Sequence, residues 1–251
     1  MTEKIPQIID THLHLDLFDN PDRIFEEAER LDMGLVAMTN APFLFEACRK
    51  ICKKYSYAWA SLGMHPELVP QYKNQLGQFY DLLDLTHFIG EIGLDFTKRN
   101  KTHQKIQNMI FEKILSFCSN KKNKILSVHS RKAEKDVIEI IGKHYPNKIV
   151  MHWYSGSILN LEKAIESGFY FSVNSSMVMA KNAQEIIKRI PNDKILLETD
   201  GPFIKNNCTH FTIEILEFVI DKIAIIKGIC VKYIKLQIQK NQQKIFHCIL
   251  E

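Results

Sequence analysis

Short apolar runs alternate along the chain with longer amphipathic segments. The runs lie at 5–9, 35–39, 58–63, 88–92, 125–128, 149–151, 169–173 and 195–197. They are rich in Ile, Val, Leu and Phe and mostly do not alternate with polar residues, as expected of parallel strands buried on both faces. Between them, residues 101–119 put Ile106, Met109, Ile110, Ile114, Phe117 and Cys118 on one helical stripe, and residues 131–144 do the same with Val137, Ile138 and Ile141. Asp19-Asn20-Pro21 reads as a helix cap followed by Pro in the first turn, and Asn40-Ala41-Pro42 reads similarly. The stretch from Gly228 to the end reads as one last helix, packed through Ile234, Ile238, Ile245 and Ile249. Eight strand–helix units predict an α/β fold, a single (β/α)8 TIM barrel, with an open doubly wound sheet as the structural alternative.

Composition narrows this without changing it. The 251 residues suit one such barrel, so residues 1–251 are expected to form a single domain. Hydrophobic residues at 45% and charged residues at 25% exclude a disordered or collagen-like chain. The formal charge of +4 permits an anionic substrate without demanding one. No apolar run approaches the length of a membrane span, and the N-terminal residues lack the layout of a signal peptide. The six cysteines, Cys48, Cys52, Cys118, Cys208, Cys230 and Cys248, form no CxxC pair and read as reduced, mostly buried thiols of a cytoplasmic protein. Lys121-Lys122-Asn123-Lys124 reads as a solvated basic turn.

The strands end in chemistry. Asp10-Thr11-His12-Leu13-His14 closes the first, Gly63-Met64-His65-Pro66 the third, and Gly90-Glu91-Ile92-Gly93-Leu94-Asp95 the fourth. His129-Ser130-Arg131, His152-Trp153 and Glu198-Thr199-Asp200-Gly201-Pro202 close the fifth, sixth and eighth. Barrel active sites lie at these C-terminal ends. Each motif alone has an ordinary explanation: HxH arises by chance, a lone strand-end histidine sits satisfied in a core, Glu91 forms a salt bridge, and Asp200 is a turn residue. Four histidines (His12, His14, His129, His152) and two acids (Glu91, Asp200) meeting at one barrel mouth instead compose a metal site, with ligands for two ions and Glu91 able to bridge them. The mixed imidazole–carboxylate set does not choose between Mg²⁺, Mn²⁺ and Zn²⁺.

In this order and context, the motifs resemble those of the TatD family of metal-dependent deoxyribonucleases, amidohydrolase-like barrels, over about residues 8–203. Residues 126–131, 152–157 and 198–203 are most similar to the QatD subtype, part of a four-gene bacterial anti-phage system. The resemblance implies that His12, His14, Glu91 and Asp200 hold one divalent ion and that Glu91, His129 and His152 hold a second. It implies that Asp200 orients or deprotonates the attacking water, that His65 and Arg131 lie near the scissile phosphate, and that Gln104 matches a family position of less clear role. The segment 204–210 departs from the family pattern, in which a longer loop carries a basic residue, Gly, Asn and Pro before the next helix.

The activity then expected is phosphodiester hydrolysis of DNA, exonucleolytic on single strands or frayed ends, with partner subunits if the QatD likeness holds. Two ions bridged by Glu91 would activate water and offset phosphate charge. Trp153 or Tyr154 would stack on a splayed base or simply pack the rim. Lys98, Arg99 and Lys101 would steer a phosphate backbone or form a plain solvated loop. Two other functions fit the same residues: hydrolysis of another ester or amide, such as an aminoacyl-tRNA, and a non-catalytic barrel subunit of a defence complex.

Overall fold

The computed structural model describes residues 6–204 and 213–247. Eight strands carry the fold: β1 (Ile8–Leu13), β2 (Met33–Ala37), β3 (Ala58–Ala60), β4 (Phe88–Gly93), β5 (Ile125–His129), β6 (Lys148–His152), β7 (Tyr170–Val173) and β8 (Ile195–Leu197). All pairs are parallel, in the order β3-β2-β1-β8-β7-β6-β5-β4. The two ends of that order meet just beyond β3, where Leu62 pairs with Ile89 and Leu62 and Gly90 exchange backbone bonds with Phe88 and Leu62 at 2.9 Å. The sheet is thus a nearly closed (β/α)8 barrel, and the open doubly wound alternative is excluded.

Two buried layers follow from the period-two alternation of strand residues. Leu35, Leu126, Val128, Met151, Phe171, Val173 and Leu197 face outward into the helices. Ile9, Val36, Met38, Phe88, Ile125, Val150, Tyr170 and Leu196 face inward and form a separate core at the barrel floor. The last helix, Val231–Phe246, plugs that floor with Ile245 and Phe246. Its buried Asn241 amide donates to Asn192 O and Ile195 O at 2.8 Å each, and Gln242 Nε2 donates to Ile9 O at 3.1 Å. Ile234, Ile238 and Ile245 are fully buried, as the sequence predicts; Ile249 lies outside the described residues. Above the apolar floor the inward positions turn small and polar, and a small cavity lies between the floor residues and Thr11, Ser61 and Ser127. Above these come the histidines and acids.

Local signals behave mostly as expected. Asn20 accepts from Arg23 N and caps helix Pro21–Arg30, with Pro21 opening it. Asn40-Ala41-Pro42 differs: Pro42 opens a short 3-10 turn with no side-chain cap before helix Phe45–Cys52. In helix Lys101–Ser119 the buried face is rotated from the predicted stripe. Phe111, Leu115 and Gln107 are buried whereas Met109 is 43% exposed, because Gln107 turns inward to accept from Asp95 N at 2.9 Å. Helix Glu134–Ile141 starts later than predicted but buries Val137, Ile138 and Ile141.

The basic turn at 121–124 needs correcting. Lys124 is buried, and its ammonium donates to Leu83 O at 2.8 Å and Thr86 O at 2.7 Å, satisfying carbonyls at the end of the short Leu83–Leu85 turn before β4. Cys48, Cys52 and Cys118 are buried free thiols and Cys230 an exposed one; Cys208 and Cys248 lie outside the described residues. Among the described residues no helix is long and apolar enough to cross a membrane.

Candidate metal centre

The strand register breaks in two places, between Asp10 and Leu13 of β1 and between Ile89 and Ile92 of β4. Such irregularities re-aim side chains, and these two flank His12 and Glu91. Around Glu91 the glycines are steric necessities. A Cβ on Gly63 would sit 1.7 Å from Thr39 O, one on Gly90 2.9 Å from Ser127 Cβ, and one on Gly93 2.1 Å from His129 O. Gly93 also has φ +132°, which L side chains rarely adopt.

Glu91 is the hub. Its Oε2 lies 3.5 Å from His12 Nε2 and 3.3 Å from His14 Nε2. Its Oε1 lies 2.6 Å from His129 Nδ1, 3.5 Å from His65 Nε2 and 3.6 Å from His152 Nε2. Asp200 Oδ1 completes the first side, 3.8 Å from His12 Nε2 and 3.7 Å from His14 Nε2. Burial alone would raise the Glu91 pKa, but the imidazoles of His65, His129 and His12 override it and hold the carboxyl well below the usual range. Asp200 has the opposite balance. Burial, helped by the nearby Glu198 and Glu91 carboxylates, outweighs the His152 and His14 imidazoles and pushes it up to about 7. Burial, then His152, brings His12 down to about 3.

Most of the imidazoles are aimed by a second contact. His12 Nδ1 meets Ser127 Oγ at 2.8 Å, His129 Nε2 meets Asp95 Oδ2 at 2.8 Å, and His152 Nδ1 meets Glu198 Oε2 at 3.0 Å. Glu198 is itself fully buried and accepts from Asn174 Nδ2 at 2.8 Å, from Trp153 N at 3.1 Å and from the Ser172 hydroxyl. Asp95 accepts from Thr97 N at 2.8 Å and from the Thr97 hydroxyl. Asp10 locks β1 to the end of β8, accepting from Thr199 N at 3.0 Å, Thr199 Oγ1 at 2.5 Å and His12 N at 3.1 Å. Its burial pushes its pKa up to about 7.

This donor set fits a divalent cation. His12 Nε2 and His14 Nε2 stand 3.3 Å apart, both directed at carboxylate oxygens. Ligand-sized groups form around His12, Glu91 and His152, around His12, His14 and Asp200, and around His65, Glu91 and His129. A carboxylate or hydroxyl behind the remote ring nitrogen is the arrangement that orients ligating histidines. His14 is the exception, since its buried Nδ1 has no partner.

The structure brings His12, His14, Glu91, His129, His152 and Asp200 together, with His65 beside them. It leaves other expected residues apart. Arg131 is exposed beyond β5, without an ion pair among the described residues. Trp153 is half-buried, its ring centroid 6.4 Å from that of His152. Tyr154 is core, donating to Ser157 O at 2.8 Å. Gln104 makes no side-chain bond to the cluster, and Gln107, one turn later, serves Asp95 instead. Lys98 pairs with Glu67 at 3.0 Å. The supporting roles of Asp10, Asp95, Ser127, Ser172, Asn174 and Glu198 escaped the sequence reading. Their signal was present: polar residues at inward positions of otherwise apolar strands, as in Ile125-Ser127-His129 and Tyr170-Ser172-Asn174.

Comparison with known proteins points the same way. The family model described as TatD-related DNase matches residues 9–247. The putative deoxyribonuclease TATDN3 of Mus musculus is 27% identical over 266 residues, covering 95% of this chain and 88% of that protein. The uncharacterized metal-dependent hydrolase YabD of Bacillus subtilis (strain 168) is 26% identical over 259 residues, covering 95% and 98%. The crystal structure of YJJV, a TATD homolog from Escherichia coli, superposes with a TM-score of 0.85 at 20% identity, covering 97% of this chain and 99% of that one.

Proposed function

The chain belongs to the family of TatD-related DNases, and on that premise we propose that it is a metal-dependent phosphodiesterase that degrades DNA from single-stranded or frayed ends. The observation that carries this is the Glu91 carboxylate, with one oxygen 3.3 Å from His14 and the other 2.6 Å from His129. A bridging carboxylate between two nitrogen-rich groups suits a two-ion site.

In this reading His12, His14, Glu91 and Asp200 hold one ion and Glu91, His129 and His152 the other. Bound divalent ions supply Lewis acidity there, easing deprotonation of water and offsetting phosphate charge. The protein's own residues do the rest. Asp200 accepts a proton from the attacking water. Glu198 and Asp95 fix the rings of His152 and His129. His65, half-buried and 3.5 Å from Glu91, donates from Nε2 to a phosphate oxygen. Arg131, exposed beyond β5, adds a charge-assisted contact to phosphate, and Trp153 packs beside the substrate.

The likeness of residues 126–131, 152–157 and 198–203 to QatD supports a finer reading: a cytoplasmic role in anti-phage defence with partner subunits. Loss of phage protection on Asp200→Asn tests it. The nuclease reading is tested with metal-stripped protein, DNA labelled at its 5′ or 3′ end, and Mg²⁺, Mn²⁺ or Zn²⁺ added back. Metal-dependent laddering that disappears in Glu91→Ala supports it. Metal uptake without cleavage overturns it in favour of another ester or amide substrate.

A further inference from the structure

An aromatic ring stands open beside the cluster. Phe203 is 58% exposed, yet its ring centroid lies 5.1 Å from that of His14, at 78° to it. Its turn is tied to the ligand strands by backbone bonds: Asp200 N to His12 O at 2.9 Å, His14 N to Gly201 O at 2.8 Å, and Phe203 N to Asp200 O at 2.9 Å. A large apolar ring is therefore held in water on a fixed turn, so its ordering cost is met before any ligand arrives. Trp153, which also borders a cluster imidazole, is half-buried and farther off.

Among the described residues, the rim opposite Phe203 carries a group of cations. Phe203 follows β8, whose barrel neighbours are β7 and β1. Across the ring, the segments after β4 and β5 carry Arg99, Lys101, Arg131 and Lys132, all exposed, while Lys98 is paired with Glu67 at 3.0 Å. A phosphate backbone belongs on the cationic side, and a flat apolar group on the other.

We propose that Phe203 is a base-stacking residue, whose open face receives the nucleobase adjoining the scissile phosphodiester. This rests on the nuclease reading above and names a substrate contact that it lacked. Stacking on a single ring recognises every base by its π face, which suits a nuclease indifferent to sequence.

The test crosses enzyme and substrate variants. Wild type, Phe203→Ala and Phe203→Leu are compared on a single-stranded oligonucleotide and on one with an abasic unit next to the cleaved linkage. Cleavage is followed with ordinary linkages. Binding is followed by fluorescence anisotropy with hydrolysis-resistant phosphorothioate linkages, and metal content is measured in each protein. The expected result is that the abasic unit weakens wild-type binding and cleavage by about 10-fold or more. Both variants should lose as much on the normal strand, keep their metal and show no further abasic penalty. Variants that keep the wild-type abasic penalty overturn the stacking role alone. Equal losses on both strands make Phe203 only a support for His14 and also overturn it. A metal-loaded wild type that neither binds nor cuts either oligonucleotide overturns the nuclease reading, and stacking with it.

Discussion

His152 lies between two carboxylates, its Nδ1 3.0 Å from Glu198 and its Nε2 3.6 Å from Glu91. Glu198 is the buried member that holds the ring in place. Glu198→Gln should keep the fold and weaken divalent-ion affinity by about 10- to 100-fold. Glu198→Ala also strands the Ser172 hydroxyl and the Asn174 amide in the core, at a cost of about 3–5 kcal/mol. Calorimetric metal titration and thermal melting separate the two effects. Unchanged affinity in Glu198→Gln would remove Glu198 from the site.

Metal binding should release protons. Burial opposes charge on both rings, but Glu91 and Asp95 push His129 up to about 9, and Glu198 and Asp200 push His152 up to about 10. Both therefore hold a proton near pH 7.5 in the metal-free protein, and a ligating nitrogen must give it up. Affinity should rise with pH through this range and fall as pH drops. Titration in buffers of different ionisation enthalpy counts the protons, with one or more expected per molecule. A count of zero would contradict these protonation states.

Two glycines should respond in opposite senses. Gly93→Ala drives a Cβ to within 2.1 Å of His129 O at positive φ. It should cost about 3 kcal/mol or more and displace His129. Gly77, in helix Leu76–Leu82, has open space around it. Gly77→Ala should stabilise by about 0.5–1 kcal/mol. Denaturant unfolding measures both.

The floor plug has its own reporter. Phe246 packs against Trp59 and Phe88 with centroids 5.5 and 5.2 Å apart. Phe246→Ala should cost about 3–5 kcal/mol and shift Trp59 emission to longer wavelength. An unchanged melting temperature would mean that the last helix does not close the barrel.

The sequence exposes strands and ligands more readily than their supports. Each apolar run overlaps a strand because both faces of a parallel barrel strand are buried, although β1 begins only at Ile8 and β3 ends at Ala60. His12, His14, Glu91 and Asp200 stood out as ionisable residues where such runs stop. The role of Asp95 did not, because it depends on His129 being brought to its carboxylate from the neighbouring strand. Met109 was misassigned for a related reason: helical periodicity reveals that a face exists, while a polar anchor, here Gln107, decides its rotation. The burial of Lys124 likewise depends on Leu83 and Thr86, remote carbonyls that no local pattern reveals. Phe203 carries no individual signal in the sequence; its place beside His14 emerges only in the fold.

The most direct test of the central claim is to count bound divalent ions in wild type and Glu91→Gln by elemental analysis after dialysis, with DNA cleavage measured on the same samples. If Glu91 bridges two ions, wild type should carry two per chain, and Glu91→Gln should lose at least one and fall to background cleavage. A Glu91→Gln protein that retained two ions and cut DNA at the wild-type rate would contradict the account.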